Sequence, residues 1–400
     1  MTSKERFLAA IRNEIPDRVP VTPDFSCYIP CRRTGLPFWE ILFEGRVSLA
    51  DAYLDTARHF GIDPWTGGHF AAPLTHDDLQ YQEKSSMAYD AHRDAMVRRT
   101  EYLTPDGSLT KTELCYRNEP PATIEKQIKN LESDWKKHRW LSPFPSGVDM
   151  SALESMRSAC ERDACAFGLG MSYPGFHVWH VFVEGGLAPL VFAEADASRT
   201  LDAWLEWDMA RGTRIMELTL ACKPDYVLFG GSGTITMASP ALAMKYAIPA
   251  LRKWSAMAKS AGIPTLLHSC GKSRILVDML VDHTDVNCIN PLEHAPMGDI
   301  DLAELKKARG KDIALMGNLH TTATMLLGSP EEVREASAYA MQDAGYKGGF
   351  ILSTGDQCGR DTPDANLHAM VEAAHELGVY DPATGRLPKL ELWASGRSRR

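Results

Sequence analysis

Short apolar segments alternate with amphipathic segments over most of the chain beyond about residue 150. The apolar segments have the length of buried strands, and the segments between them have the spacing of helices. Helix starts are marked by Ser239-Pro240 and by Ser329-Pro330, where Glu332 completes a capping box. Strands that alternate with helices predict an α/β fold with a parallel sheet. The predicted strands are residues 164–170, 225–230, 265–268, 286–290, 313–317 and 349–353.

The number of these units indicates a closed barrel. Six strand–helix units and a further short apolar strand at residues 17–25 approach the eight units of a (β/α)8 TIM barrel. An open doubly wound sheet is the alternative, but no G-x-G-x-x-G motif opens a first crossover helix. We therefore predict the barrel, in which the active site lies at the carboxyl ends of the strands.

Residues 76–140 interrupt the alternating pattern. Strand alternation on both sides of Pro105-Asp106-Gly107 predicts an antiparallel hairpin, and residues 124–140 predict a polar helix. We predict a single barrel domain over residues 1–390, with residues 76–140 as an inserted hairpin and helix excursion. Residues 391–400 are polar and are predicted to form a tail.

Composition and charge limit the classes of partner. The chain has 400 residues, of which 44% are hydrophobic and 24% are charged, as is ordinary for a globular protein. A net charge of −9 argues against nucleic acid and anionic membranes as partners. No apolar run is long enough to span a bilayer. The nine cysteines are irregularly spaced, unlike a disulfide framework, so we expect a reduced, cytoplasmic protein.

Two predicted strands end in residues that can bind zinc. The strand at 265–268 runs into the sequence H-S-C-G, in which His268 and Cys270 are alternate residues and can face one site. Cys358 follows the strand at 349–353, whose carboxyl end would lie at the same edge of a parallel sheet. Imidazole and thiolate are ligands that zinc prefers, and three protein ligands leave an open fourth position. We predict an open zinc site of His268, Cys270 and Cys358, with a small buried apolar role as the alternative for each cysteine.

Other predicted strand ends carry polar side chains that could serve the same site. Glu293 follows the strand at 286–290, and Asn318 and His320 follow the strand at 313–317. We predict catalytic roles for these three residues, in orienting substrate or supplying a proton, with loop capping as the alternative. Asp356 could be a partner or an occasional ligand of the metal site, or could cap a turn.

An aromatic cluster follows the first strand of the regular region. It could line the mouth of the barrel and bind a flat or apolar substrate, or it could pack the next helix instead. The predicted substrate-binding residues are Tyr173, Phe176, His177 and Trp179.

Several segments resemble those of one protein superfamily. They include the opening K-E-R-F-L-A-A-I-R-N-E-I-P-D-R-V-P-V, the L-H-S-C-G segment that contains His268, and T-P-D-A-N just after Cys358. With Asn290-Pro291 and Gly317-Asn318, these resemble the uroporphyrinogen decarboxylase superfamily and its zinc-dependent methyltransferase branch, which serves corrinoid-dependent methyl transfer. The resemblance implies the barrel, a zinc ion held by His268, Cys270 and Cys358, and methyl transfer.

The same resemblance indicates which reaction and which partners to expect. The arginine-rich motif of the decarboxylases is not recognisable around Arg32 and Arg33, which argues against decarboxylation. The D-x-H-x-x-G pattern of a cobalamin-binding domain is absent, since Asp90-Ala-His92 lacks the later glycine. The corrinoid (cobalamin) is therefore expected on a separate protein or free in solution.

Four functions follow from these expectations. The favoured one moves a methyl group from a small donor, such as a methoxylated aromatic (O-demethylation), to the corrinoid. The alternatives are transfer from a methylcorrinoid to a thiol, a uroporphyrinogen decarboxylase-like reaction and a non-catalytic zinc-stabilised scaffold. The sequence leaves open whether the chain forms a homodimer.

Overall fold

Six parallel strands form the centre of the fold, and their order in the sheet follows the chain. The structure, a computed structural model, describes residues 1–388. Each strand predicted beyond residue 150 is confirmed, with small shifts at its ends. The six strands are Gly168–Ser172, Tyr226–Gly230, Thr265–His268, Cys288–Asn290, Ala314–Leu319 and Phe350–Thr354.

Two short N-terminal segments close this sheet into a barrel. Val21 forms a parallel bridge with Leu352, and the Thr22 N–H donates to the Leu352 carbonyl at 2.9 Å. The Asp63 N–H donates to the Val21 carbonyl at 2.8 Å, and Trp65 forms a parallel bridge with Ala166. The segments around Val21 and Trp65 thus supply the remaining two positions of the predicted (β/α)8 barrel.

Helices lie between the strands and around the barrel. No helix in the described part of the chain is both long and apolar enough to cross a membrane. The α-helices are Ser3–Ile11, Tyr28–Thr34, Phe38–Leu42, Leu49–Phe60, Leu131–His138, Met150–Arg162, Phe176–Trp179, Leu187–Ala195, Arg199–Ala221, Pro240–Leu242, Ile248–Ser260, Arg274–His283, Leu302–Arg309, Pro330–Ala344 and Asp364–Leu377, with π-helical turns at Ala243–Ala247 and Thr321–Leu326 and a 3-10 turn at Arg139–Leu141.

Alternation along the strands separates two layers of core. The outward residues pack under the helices in the largest buried cluster, which includes Val227, Phe229, Leu267, Ile289, Leu315 and Leu352. The inward residues form a second buried cluster together with Phe7 and Ile11 of the first helix, which therefore covers the amino-terminal end of the barrel. The inward residues of that cluster include Tyr226, Leu228, Leu266, Cys288, Met316 and Ile351.

Residues 82–125 form a separate antiparallel sheet beside the barrel. The predicted hairpin at Gly107 is present, but two further strands extend it into a four-stranded meander. The helix begins at Leu131 and not at residue 124 as predicted, because Ala122–Glu125 pairs with the preceding strand and the Thr112 hydroxyl donates to Glu125 at 2.6 Å. The strands are Gln82–Asp90, Ala95–Thr104, Gly107–Tyr116 and Ala122–Glu125.

Both ends of this insert return to one place on the barrel. Leu74–Thr75 pairs antiparallel with Gly147–Val148, which brings the start and the end of the excursion together. The assignment of one domain with an insert stays a prediction. Its predicted end at residue 390 and the tail at 391–400 lie outside the described residues.

Candidate functional site

Alternation along the strands directs several polar side chains toward the barrel axis. Leu266 is an inward residue, so His268, two positions later at the strand end, faces the same side. The same argument applies to Asn290 after Cys288, and to Asn318 after Met316. The carboxyl ends of three neighbouring strands therefore present an imidazole and two amides to one region.

The turn after His268 is held in place by its neighbours. The Ser269 hydroxyl is buried and donates to the Thr234 hydroxyl at 2.9 Å. Gly271 has a φ of +81°, and a Cβ there would lie 2.1 Å from the Thr236 hydroxyl oxygen, so a side chain would not fit. The Gly271 N–H donates to the Glu293 carboxylate. These contacts orient Cys270, which lies between Ser269 and Gly271.

Cys270 lies among carboxylates. Among the described residues, the ligand atoms of Cys270, Glu293 and Asp356 all lie within 4.8 Å of one another. Burial raises the pKa of the Cys270 thiol to about 11, and the nearby charge of Asp356 adds to the shift. Burial also raises the pKa of Glu293, again with a contribution from Asp356. His268 is close enough for its charge to act on Glu293 in the opposite direction.

Asp356 has a strained backbone. Its φ is +90°, a region that costs a non-glycine residue about 1–3 kcal/mol and is concentrated at functional sites. The Thr354 hydroxyl donates to the Asp356 carbonyl at 2.7 Å, and the Gln357 N–H donates to the Asp356 carboxylate at 2.9 Å. These bonds hold the Asp356 side chain in the group with Cys270.

Cys358 lies on the first-strand side of the site. It is fully buried, its N–H donates to the Asp24 carbonyl at 2.7 Å, and its sulfur lies 4.0 Å from the Thr354 hydroxyl. Burial raises the pKa of its thiol to about 12, with a further contribution from Asp24. The structure thus groups Cys270 with two carboxylates, and His268 and Cys358 do not belong to the group within 4.8 Å. The predicted set of His268, Cys270 and Cys358 stays a prediction.

The donor atoms at this end of the barrel fit a zinc ion. An imidazole, two thiols and carboxylates are the donor types that zinc binds. The pKa values of Cys270, Glu293 and Cys358 are raised because their charged forms are buried near other negative groups. A bound dication reverses that effect, since it stabilises thiolate and carboxylate. The chemistry of the residues is therefore that of a cation site.

Asn318 and His320, at the end of the strand Ala314–Leu319, make local contacts. The Asn318 amide is buried and donates to the Leu292 carbonyl at 2.9 Å. His320 Nδ1 accepts the backbone N–H groups of Thr322 and Ala323 at 3.1 Å each, so it caps the turn that follows. With Glu293, both line a crevice of only about 10 Å³, barely the space for one water. Their predicted catalytic roles stay predictions.

The predicted aromatic residues are buried beside the site. The Tyr173 hydroxyl is hydrogen-bonded to that of Thr234 at 2.7 Å, and its ring lies 4.4 Å from the His177 ring. Phe176 and Trp179 belong to a separate buried cluster, in which Trp179 stacks on Trp204 at 4.9 Å. These contacts are those of residues that pack a helix, which is the alternative considered for this cluster. Substrate binding by the four residues stays a prediction.

The main cavity at the barrel mouth is formed largely by residues that sequence reasoning missed. Its volume is about 320 Å³, and His268 connects it to the candidate metal site. Asp24 is buried in its wall, where burial raises the pKa of the carboxyl. Asp24 lies at the end of the first short strand just as His268 lies at the end of its own strand, a signal that could have identified it. The cavity is lined by Asp24, Phe25, Ser26, Cys27, Leu49, Tyr53, Trp65, Gly68, His69, Leu228, Gly230 and His268.

Comparison with known proteins adds the family. The model of the uroporphyrinogen decarboxylase (URO-D) family matches residues 227–377. The chain is also 26% identical over 266 residues to the methylcobamide:CoM methyltransferase MtbA of Methanosarcina mazei, covering 64% of this chain and 71% of that protein. The chain is thus similar to proteins of the uroporphyrinogen decarboxylase superfamily. The residues matched by the family model include the strand ends that carry His268, Glu293, Asn318 and Cys358.

The sequence similarity to methyltransferases and the similarity to decarboxylases of this superfamily cover different lengths of the chain. The chain is 35% identical to the uroporphyrinogen decarboxylase of Dichelobacter nodosus, but over only 78 residues, or 20% of the chain and 22% of that protein. The solved structure of a methyltransferase from Methanosarcina mazei covers 94% of the chain and 99% of its own, with a TM-score of 0.59 at 17% identity. That similarity supports the barrel fold. The sequence similarity to the methyltransferase MtbA thus spans 266 residues, whereas the similarity to this decarboxylase spans 78.

Proposed function

We propose that the chain is a corrinoid-dependent methyltransferase that takes a methyl group from a small donor, a methoxylated aromatic, and passes it to a corrinoid. The observation that carries the corrinoid-dependent methyl transfer is the likeness over 266 residues to a methylcobamide:CoM methyltransferase. The cavity beside His268 supports it as well, because its walls are largely apolar and aromatic and would hold a small organic donor.

The chain would work with a corrinoid that it does not carry itself. Its sequence lacks the D-x-H-x-x-G pattern of a cobalamin-binding domain. The cavity volume of about 320 Å³ suits one small substrate, so the corrinoid would approach the barrel mouth from outside, on a partner protein or as free cobalamin. The cytoplasmic location and a homodimer stay predictions.

Zinc held by His268, Cys270 and Cys358 would supply the Lewis acid that methyl transfer from oxygen requires. The chain's own residues would prepare that site. The Gly271 N–H fixes the Glu293 carboxylate beside Cys270, where it would be a further candidate ligand for the ion. The buried first-strand loop positions Cys358 through its N–H bond to the Asp24 carbonyl.

A second function in the same class is methyl transfer from a methylcorrinoid to a thiol. The name of the Methanosarcina mazei relative, a methylcobamide:CoM methyltransferase, favours it. The two reactions differ in whether a substrate sulfur binds the metal. A thiol added to cobalt-substituted protein would change the visible spectrum in the second case and leave it unchanged in the first.

The decarboxylase alternative is opposed by the contacts of the N-terminal arginines. Arg32 donates to the carbonyls of Arg360 and Thr362 at 2.9 Å each and pairs with Asp364. It is therefore bound to a surface loop and does not line the main cavity. A substrate with several carboxylates would find few cations at this site.

The first experiment is the zinc content of the purified protein and of the variants His268→Ala and Cys358→Ala. We expect about one zinc per chain, lost in both variants while circular dichroism stays unchanged. Cys222→Ala is the matched control, because Cys222 is a buried thiol at the far end of the helix Arg199–Ala221.

Methyl transfer is then measured from 4-methoxyphenol to cob(I)alamin and from methylcobalamin to a thiol. Chelation should abolish transfer before it unfolds the barrel. Simultaneous loss of fold and zinc would instead favour the scaffold. A protein that neither contains nor takes up zinc would refute the proposal.

A further inference from the structure

Gly230 lies in the wall of the main cavity, at the carboxyl end of the strand Tyr226–Gly230. Leu228, two residues earlier, also lines the cavity and is an inward residue of the barrel. A side chain at position 230 would therefore point into the cavity as well. Gly230 is paired in register with His268 on the neighbouring strand. The position that has no side chain is thus directly beside a predicted metal ligand.

The other glycines within the six barrel strands are required by packing. At each of them a Cβ would lie within 2.2 Å of another atom of the protein, which leaves no space for a side chain. These glycines are Gly168, Gly170 and Gly317. Gly231, which follows the strand, is closed off in the same way, since a Cβ there would lie 2.6 Å from the Tyr173 hydroxyl oxygen.

Neither packing nor backbone conformation requires a glycine at position 230. Among the described residues, the nearest atom to a Cβ at Gly230 would be the Met171 carbonyl oxygen at 4.0 Å, an ordinary van der Waals distance. The φ angle of Gly230 is outside the left-handed region. A glycine weakens a strand and often marks the place where a ligand approaches the backbone closely. Gly230 is half-buried, so a ligand in the cavity can contact it.

The position of Gly230 relative to His268 indicates which part of a ligand it faces. Neighbouring strands lie about 4.7–4.9 Å apart. A donor whose ether oxygen reaches an ion bound by His268 would therefore place its next atoms over Gly230. In a methoxylated aromatic those atoms belong to the ring, and a flat ring can lie on a bare peptide backbone. The cavity volume of about 320 Å³ has space for a single ring, since apolar cavities of about 150 Å³ hold benzene.

We propose that Gly230 determines donor specificity, because its missing side chain leaves the space in which the ring of a methoxylated aromatic donor lies beside His268. The inference rests on the proposed function, which supplies the donor and the metal. It adds the place of the ring and the residue that admits it.

Binding of 4-methoxyphenol to the full-length, zinc-loaded protein tests this inference without catalysis. Isothermal titration calorimetry compares the wild type with Gly230→Ala and Gly230→Val. The alanine variant should bind about tenfold more weakly, because a methyl group in an occupied space forces the ligand or the wall to move. The valine variant should bind more weakly still, since its side chain fills more of the same space.

Two further measurements separate a role in binding from a role in folding. The urea midpoint of Gly230→Ala should equal or exceed that of the wild type, because alanine is less costly than glycine in a strand. Its zinc content should be unchanged. Ser172→Thr is the matched control, since it also adds one carbon at a position paired with Gly230, on the other neighbouring strand, and does not line the cavity. It should bind 4-methoxyphenol as the wild type does.

The outcomes distinguish this inference from the proposed function. Equal binding by the wild type and Gly230→Val, a lower urea midpoint or lost zinc in Gly230→Ala, or no binding of 4-methoxyphenol by the wild type overturns the role of Gly230. Methyl transfer from 4-methoxyphenol to cob(I)alamin that is unaffected by Gly230→Val would leave the proposed function intact and this inference refuted. Binding that depends on Gly230, without methyl transfer by zinc-loaded protein, would support the place of the ring and refute the proposed function.

Discussion

The substitution Asp63→Ala tests how the barrel is closed at its first two strands. The Asp63 carboxylate is fully buried and accepts hydrogen bonds from Arg6 at 2.7 Å, from Arg18 at 2.8 Å and from the Val21 N–H at 2.9 Å. Both arginines are largely buried, with side-chain exposures of 9% and 14%. Arg6, Arg18 and the Val21 N–H are thus all paired with this one buried carboxylate.

The expected loss of stability in Asp63→Ala depends on the hydrogen bonds that remain for Arg6 and Arg18. Removing one partner of a buried ion pair costs about 3–5 kcal/mol, because the remaining charge stays buried without compensation. Arg6 keeps Asp17, to which its Nε donates at 2.7 Å, whereas the Arg18 side chain keeps its hydrogen bond to the Val19 carbonyl at 3.0 Å. We therefore expect the lower part of that range, a loss of about 3 kcal/mol in the free energy of unfolding.

Urea unfolding followed by circular dichroism measures this loss. The matched control is Asp55→Ala, because Asp55 is 61% exposed and pairs with Arg58 at the surface, where ion pairs contribute little. The control should unfold at nearly the wild-type urea concentration. Equal midpoints for Asp63→Ala and Asp55→Ala would refute the argument that this buried network closes the barrel.

Three further predictions concern stability. Asn366→Ala should lower the free energy of unfolding by about 2 kcal/mol in urea, because it removes the buried amide that donates to the carbonyls of Met325 and Gly328. Ser329→Ala should cost about 1 kcal/mol by the same assay, since it removes the helix N-cap. Burial lowers the pKa of His138 to about 4 in the folded protein. As the pH drops, His138 is protonated in the unfolded chain before it is protonated in the folded one, so the free energy of unfolding should fall between about pH 6.5 and pH 4. His138→Phe should flatten that fall in urea midpoints measured across this range, and an unchanged slope would contradict it.

The regular part of the barrel was predictable because its strands are buried on both faces. Strands such as Tyr226–Gly230 are apolar throughout and are separated by helices with clear caps, so local patterns identify them. The strand end at His268 also followed from simple alternation. The insert was only partly predictable, because the short strand Ala122–Glu125 depends on pairing with a distant neighbour.

The grouping of Cys270 with Glu293 and Asp356 could not be predicted from spacing. Each residue follows a different strand, and their proximity depends on the turns between them. Glu293 is directed to the site by the Gly271 N–H, and Asp356 by a left-handed backbone conformation that no sequence pattern signals in a non-glycine residue. Sequence reasoning could name these residues as candidates, but it could not decide which of them lie side by side.

Closure of the barrel and the shape of the cavity depend on the same short segments. Asp63 binds the first strand through Val21, three residues before Asp24, and precedes Trp65 and His69 in the cavity wall. The patterns that identify longer strands fail here, since each segment makes only a single bridge to the sheet. The predicted metal ligands lie at or after the ends of the regular strands, whereas much of the cavity wall is built from these closing segments. Substitutions among residues 19–70 could therefore change the proposed substrate while the predicted ligand residues His268, Cys270 and Cys358 stay the same.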